Sequence, residues 1–280
     1  MNIRTETRAM DVSELEAVLT WAAEEGWNPG LADAAGFHAA DQEGFFLTRV
    51  DGVPVASVSV VNHDPENAFL GLYLCHPDWR GQGLGLQTWQ VAIAHAGSRS
   101  IGLDGVPEQE HNYRRSGFTK TGSSLRHEGR LDGRPSPNVR SAAPTDTEFL
   151  INLDARANGY ARRAFLNAWL QQKEDVRGTR VYLRDREICG FATWRQCQIG
   201  TKIGPLIAPD LSASIELISD IAALRPDGPL IIDTPEGNGA LRRELELNGF
   251  SIPFVTARMF RGAIPDTDAT LQAIATMELG

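Results

Sequence analysis

Apolar residues first recur at helical spacing. Val12, Leu15, Val18, Leu19 and Ala22 fall on one face, behind an Asp11-Val12-Ser13-Glu14 start with the form of a capping box. Gly26-Trp27-Asn28-Pro29-Gly30 breaks the pattern, and a second short helix is expected over residues 31–38. The period then shortens. Residues 45–50 and 53–61 read as strands joined at Asp51-Gly52, a strong hairpin signal. A polar loop at 62–67, a strand at 69–75, a helix at 84–96, a short strand at 101–106 and a short helix ending at Gly117 follow. This order predicts an α/β (α+β) fold built on a mixed sheet with one parallel crossover.

Residues 127–138 are rich in Gly, Pro and polar side chains and read as a linker, after which the pattern restarts. Thr145-Asp146-Thr147-Glu148 has the form of a capping box, residues 161–172 read as a helix, and 180–183 and 188–194 as strands about a turn at Asp185-Arg186. A strand at 203–207, a helix, a strand at 230–233 and a helix ending near Gly249 complete the series. Pro77-Asp78 reappears as Pro209-Asp210 and Gly117-Phe118 as Gly249-Phe250, each 132 residues later. The constant offset and shared element order make an internal repeat, with limits near 1–130 and 139–280.

The most informative stretch is Leu72-Tyr73-Leu74-Cys75-His76-Pro77-Asp78-Trp79-Arg80-Gly81-Gln82-Gly83-Leu84-Gly85-Leu86. An apolar strand delivers the chain to a glycine-rich loop, and a helix opens behind it. Such a loop lets backbone approach an anion, and the helix N-terminus offers free N–H groups and a positive dipole end. The expected guest is a diphosphate. The spacing lacks the third glycine of a dinucleotide fingerprint and the Lys-Ser/Thr of a Walker loop. Arg80-x-x-Gly83-x-Gly85 resembles the acyl-CoA loop of the GNAT superfamily of N-acyltransferases. Tyr113-x-x-x-Gly117-Phe118 resembles the later half of the same core, and the two blocks stand in the family's order across residues 1–130.

The resemblance implies two GNAT-like domains in tandem and an acetyl-CoA-dependent N-acetyltransferase. Loop groups from Arg80, Gly81, Gln82, Gly83, Leu84, Gly85 and Leu86 would hold the diphosphate. Main-chain groups of Tyr73, Leu74 and Cys75 would pair with the pantetheine arm, and Tyr113 would stand near the sulfur as general acid. The second repeat is degenerate: Leu211-Ser212-Ala213-Ser214-Ile215-Glu216 carries no glycine loop, and Leu245 stands where Tyr113 does in the first. It reads as a scaffold or substrate wall.

An amine acceptor must lose a proton, and the base is not evident. Asp104 has a location argument at the end of a strand; His63, Asp64, Glu66, Glu24 and Glu25 are further candidates. Glu24, Glu25 and Trp27 are candidates for receiving a cationic acceptor through charge and cation–π contact. Transfer would be direct, in a ternary complex, to a small primary amine. The rival reading is a CoA-binding sensor or interaction protein without turnover.

Composition narrows the setting. Apolar residues make up 42% and charged residues 22% of 280, as in a soluble globular protein, and no stretch has the length of a membrane span. The net charge of −9 argues against general affinity for nucleic acid or anionic membrane. Cys75, Cys189 and Cys197 are odd in number and widely spaced, which offers neither a disulfide framework nor a metal site and implies a reducing, cytoplasmic compartment. Two fused domains can imitate the interface made by a dimer of single ones, so a monomer and a homodimer are both expected possibilities.

Overall fold

The computed structural model describes residues 4–173 and 175–280. The first repeat contains β1 (Thr5–Ala9), α1 (Val12–Glu24), α2 (Asp33–Ala40), β2 (Phe45–Val50), β3 (Val53–Asn62), β4 (Asn67–Cys75), α3 (Leu84–His95), β5 (Ser100–Gly105), α4 (Glu110–Arg115) and β6 (Thr119–Gly129). The second contains β7 (Val139–Ser141), α5 (Thr147–Asn158), α6 (Arg163–Trp169), β8 (Arg177–Arg184), β9 (Glu187–Gln196), β10 (Thr201–Ile207), α7 (Leu211–Leu224), β11 (Leu230–Pro235), α8 (Gly239–Leu247) and β12 (Ser251–Arg261), followed by a short β13 (Leu271–Ala273). β6 and β12 begin and end 132 residues apart, matching the offset in the sequence.

Local chemistry places several boundaries. The Asp11 carboxylate accepts from the N–H groups of Ser13 and Glu14, and Glu14 accepts from the Asp11 N–H, so the capping box that opens α1 is present. Asp51 and Gly52 both have left-handed φ, at 49° and 83°, as a tight hairpin between β2 and β3 requires. The Thr145–Glu148 segment differs from expectation. Asp146 turns its carboxylate back to the Ala143 N–H and Arg140 instead of capping α5. Residues 127–129, expected in the linker, extend β6, and His127 is fully buried there. β1 is an added edge strand whose exposed Thr-Glu-Thr-Arg sequence carries no apolar signal.

All strands join one sheet, in the order β1-β2-β3-β4-β5-β12-β6-β11-β10-β9-β8-β7, with β13 beside β10. The final strands are exchanged. β6 runs antiparallel to β11 of the second repeat, with Leu230 opposite Gly129 and Pro235 opposite Ser124. β12 runs antiparallel to β5 of the first, with Ala257 opposite Gly105. β6 and β12 pair with each other at the centre. The repeat limits in the sequence therefore do not coincide with two separately closed sheets.

On one face α1, α2, α5 and α6 share a single apolar core around Trp169, whereas α3 and α7 pack on separate clusters. The shared core contains a buried ion cluster that ties the repeats together. Asp33 of α2 lies 3.0 Å from the Nη2 of Arg177 and 3.2 Å from the Nε of Arg195, and it also accepts from the Gly30 N–H. Both guanidinium groups lie over the Trp169 ring, at 3.9 and 4.9 Å. Removing one partner of such a cluster strands buried charge. Asp33→Ala is expected to cost about 3–5 kcal/mol, measured as a fall in the urea midpoint at unchanged slope.

Candidate active site

β4 and β5 are parallel and pair only from Asn67–Ser100 to Leu70–Leu103. Beyond Leu70 they diverge. The cause lies in β4, where Ser57 of β3 opposes Leu74 but Ser59 opposes Gly71, a bulge. Leu72, within it, is buried and held at φ 47°, a left-handed conformation that leucine rarely adopts. Its carbonyl accepts from the Ser57 hydroxyl at 2.9 Å. Such strain costs on the order of 1–3 kcal/mol, and here it opens the sheet.

The loop after β4 leads to this opening. Gly81 and Gly83 have left-handed φ of 78° and 80°, with open space where side chains would stand. Gly83 is the N-cap of α3 and no side chain caps the helix, so its first N–H groups face the groove unclaimed. Gly85 lies against the Tyr73 ring, which a Cβ would approach to 3.2 Å. A groove of about 610 Å³ runs along these residues, lined by Tyr73, Leu74, Cys75, Arg80, Gly81, Gly83, Leu84, Gly85 and Leu86. The donors suit a diphosphate and the diverging strand suits an extended arm.

Other candidates occupy different places. Gln82 turns its amide to the Asp78 carbonyl and does not line the groove. Arg80 is not a free cation at the groove: its Nε donates to the Cys75 carbonyl at 3.0 Å and its Nη2 pairs with Glu25. Glu25 thereby stands at the groove as the partner of Arg80, while Glu24 is exposed and lines neither the groove nor the pocket beyond it. Burial raises the pKa of the Cys75 thiol, which disfavours a thiolate.

Past Tyr73 and Trp27 the groove continues into a narrow pocket of about 60 Å³ where β4 and β5 separate. Tyr113 lines this pocket and stacks on Trp89 with centroids 5.8 Å apart. Its ring lies so close to β5 that a Cβ on Gly105 would come within 2.1 Å, so glycine is required there. Burial, reinforced by Tyr73, raises the phenol pKa above its ordinary value, and the group stays protonated at neutral pH.

Asp104 also reaches the pocket, but its carboxylate is engaged. It accepts from Ser124 at 2.8 Å, Thr256 at 3.2 Å and Arg258 at 2.6 and 3.0 Å. Burial raises its pKa while Arg258 and the hydroxyls pull the other way. This arrangement suits a positioning group better than the base expected from its place on the strand. His63 packs on Tyr160 and Phe165, its Nε2 lies 2.8 Å from the Leu279 carbonyl, and burial lowers its pKa to about 4. Trp27 joins groove to pocket, and its carbonyl accepts from Arg126 at 3.0 Å and from Lys202 at 2.9 Å. Burial, with Arg126 nearby, lowers the Lys202 ammonium pKa to about 8.

Several walls of the pocket come from the second repeat and had no signal in the sequence: Phe254, Thr256, Met277 and Glu278. The second repeat's own counterpart of the opening is closed. β10 and β11 pair only over Thr201–Ile203, and beyond that β13 pairs with β10. Ile274 N–H then donates to the Asp233 carbonyl of β11. At the start of α7 the Asp210 carboxylate accepts from the Ala213 N–H at 2.9 Å and pairs with Arg184 at 2.7 Å. A carboxylate of the chain itself thus sits where the first repeat leaves its helix terminus free.

Comparison with known proteins agrees with this geometry. A profile of the Acetyltransferase (GNAT) family matches residues 12–118, and one of an Acetyltransferase (GNAT) domain matches 150–272. Holothin acyltransferase of Pseudoalteromonas sp. (strain SANK 73390) is 35% identical over 98% of this chain and 94% of that protein. The chain belongs to the GNAT acyltransferase family. Its fold, with two GNAT domains in tandem, is that of a Pyrococcus horikoshii protein assigned as an acetyltransferase (TM-score 0.82, 17% identity, 99% of this chain and 96% of that one). It is also that of a tandem GNAT protein from the clavulanic acid biosynthesis pathway (TM-score 0.63, 14% identity, 95% and 100%). The family uses acyl-CoA, and the groove of this GNAT acyltransferase has the donors for it. Among the described residues, no three His, Cys, Asp or Glu side chains are grouped to hold a metal ion, and no helix is long and apolar enough to cross a membrane.

Two measurements check this reading. Valine at position 83 cannot adopt φ near 80° without strain, so Gly83→Val is expected to weaken acetyl-CoA binding at least ~10-fold in calorimetry, a loss of ~1.4 kcal/mol. His63 has a lowered pKa in the folded state, so the unfolded chain takes up its proton first as pH falls below 6.5. Stability should be lost between pH 6.5 and about 4, by at most about 3 kcal/mol, and His63→Gln should flatten that part of the profile in urea melts.

Proposed function

We propose that this GNAT acyltransferase moves an acetyl group from acetyl-CoA to a small-molecule primary amine, by direct transfer in a ternary complex. The chemistry would belong to the repeat 1–130, with the repeat 139–280 serving as scaffold and wall. The observation that carries the reading is the continuity of the uncapped glycine loop, the strand opening and the Tyr113 pocket in the first repeat. The second repeat fills both corresponding places with its own chain.

Acyl-CoA supplies an activated thioester carbonyl. The loop N–H groups hold its diphosphate, and the free edge of β4 at Tyr73, Leu74 and Cys75 orients its arm. Tyr113, protonated at neutral pH, hands a proton to the departing sulfur. The raised pKa of Cys75, which disfavours its thiolate, favours direct transfer over an acyl-cysteine route. The narrowness of the pocket favours a short acyl group. Its enclosure by Phe254, Thr256 and Met277 favours a small acceptor over a protein side chain. Holothin, named as the substrate of the 35% identical relative, is the first acceptor to offer.

Purified protein supplied with acetyl-CoA and holothin, or with a panel of small primary amines, should release CoA and yield the acetylated product by mass spectrometry. Acetyl-CoA binding with no transfer to any of them would favour a sensor instead. In Tyr113→Phe, kcat should fall ~10²–10³-fold with acetyl-CoA affinity unchanged, and unchanged turnover would remove the acid role.

A further inference from the structure

Among the described residues, the first repeat brings to its own reaction pocket only the Asp104 carboxylate, which is saturated by Arg258, Ser124 and Thr256. A second carboxylate arrives from the far end of the described chain. After β13 has closed the second repeat's opening, residues 275–280 cross to the first. The crossing is fixed at each step. Arg195 donates to the Ala275 carbonyl at 2.8 Å, and the Thr276 hydroxyl accepts from the N–H groups of Glu278 and Leu279 at 3.1 and 2.9 Å. His63 and Arg162 hold the carbonyls of Leu279 and Gly280.

This brings the Glu278 backbone against the β4 bulge. A Cβ on Gly71 would stand 2.2 Å from the Glu278 carbonyl oxygen, so glycine at 71 is what admits the segment. Glu278 is 5% exposed and lines the pocket together with Tyr113 and Trp27. No hydrogen bond or ion pair reaches its carboxylate among the described residues, yet its oxygens are not enclosed by protein as the stranded atoms of Arg177 are. The cations of the surrounding strands have other partners. Arg126 of β6 forms a two-point pair with Asp233 of β11 at 2.8 and 2.9 Å, and Lys202 of β10 donates to the Trp27 carbonyl. Arg258 of β12 is bound to Asp104 of β5. Tyr113 of α4 and Tyr73 of β4 are phenols and carry no charge at neutral pH.

We infer that Glu278 is the general base of this acyltransferase, a carboxylate that the second repeat's chain delivers into the first repeat's pocket. The inference rests on the acyl-transfer reading above. The ammonium form of the acceptor gives one proton to Glu278. The amine nitrogen then bonds to the acyl carbon, the carbon–sulfur bond breaks with its electron pair going to sulfur, and Tyr113 protonates the sulfur. The second proton of the amine leaves to water, and solvent exchange restores Tyr113 and Glu278. The arrangement puts acid and base in one pocket from different repeats.

The test is kinetic, on the full chain, with acetyl-CoA and whichever acceptor of the amine panel the wild-type protein turns over. Glu278→Gln should bind acetyl-CoA as wild type does in calorimetry. Its kcat should fall ~10²-fold at neutral pH, and its rate should keep rising with pH as the free amine becomes abundant, whereas the wild-type rate should reach a plateau at lower pH. A wild-type rate and pH profile in Glu278→Gln would overturn the assignment while leaving acyl transfer intact. Absence of turnover in the wild-type protein would instead remove the reading on which it rests. Should Glu278→Gln not fold, Glu278→Asp decides. The shortened carboxylate should lower kcat and retain the wild-type plateau in pH, and an unchanged kcat would overturn the proposal.

Discussion

Everything in this molecule depends on the pairing of β6 with β12. Each is the last full strand of its repeat, and each completes the sheet of the other. Because the two strands lie side by side at the centre, whatever they carry on one face converges there. Arg126 and Thr256 reach the pocket from opposite repeats, and Arg258 reaches across to Asp104. A pocket made at such a seam is enclosed by residues that no single repeat could supply.

The two repeats answer the same geometric problem differently. A parallel pair that splays leaves unpaired N–H and C=O groups on both strands, and these need partners. In the second repeat β13 provides them permanently, and Asp210 provides a fixed negative group for the start of α7. In the first repeat the equivalent groups are left for a ligand whose arm and phosphates have the same chemistry. The protein's own chain therefore illustrates, in one half, the type of contact that the other half keeps available.

Much of this was legible in the sequence because it is local. The glycine loop, the hairpin at Asp51-Gly52, the α1 cap and the Tyr113 block each fit within a dozen residues, and the 132-residue offset exposed the duplication. The strand exchange was not legible, because β6 carries the same alternation whether its neighbour is β5 or β11. Leu72 gave no warning of its left-handed backbone, which is imposed by the bulge and not by the residue. Glu278 lies in Ala-Thr-Met-Glu-Leu-Gly, a stretch with no motif, and its importance arises only from where the chain crosses. Arg80 was expected at the diphosphate and Glu25 at an acceptor wall, but their mutual pairing spans a 55-residue separation that no local pattern encodes.

The exchange also sets a schedule for synthesis. β5 is made early, but its partner β12 ends at Arg261, about 150 positions later, and β6 waits about 100 positions for β11. At about 5–20 residues per second, a nascent first repeat carries two unsatisfied strand edges for on the order of ten seconds. An exposed edge is a template for pairing with other chains. This protein therefore has a vulnerable interval on the ribosome that a single-repeat relative with its own closing strand would not share, and its yield in the cell should depend on chaperone capacity more than its final stability suggests.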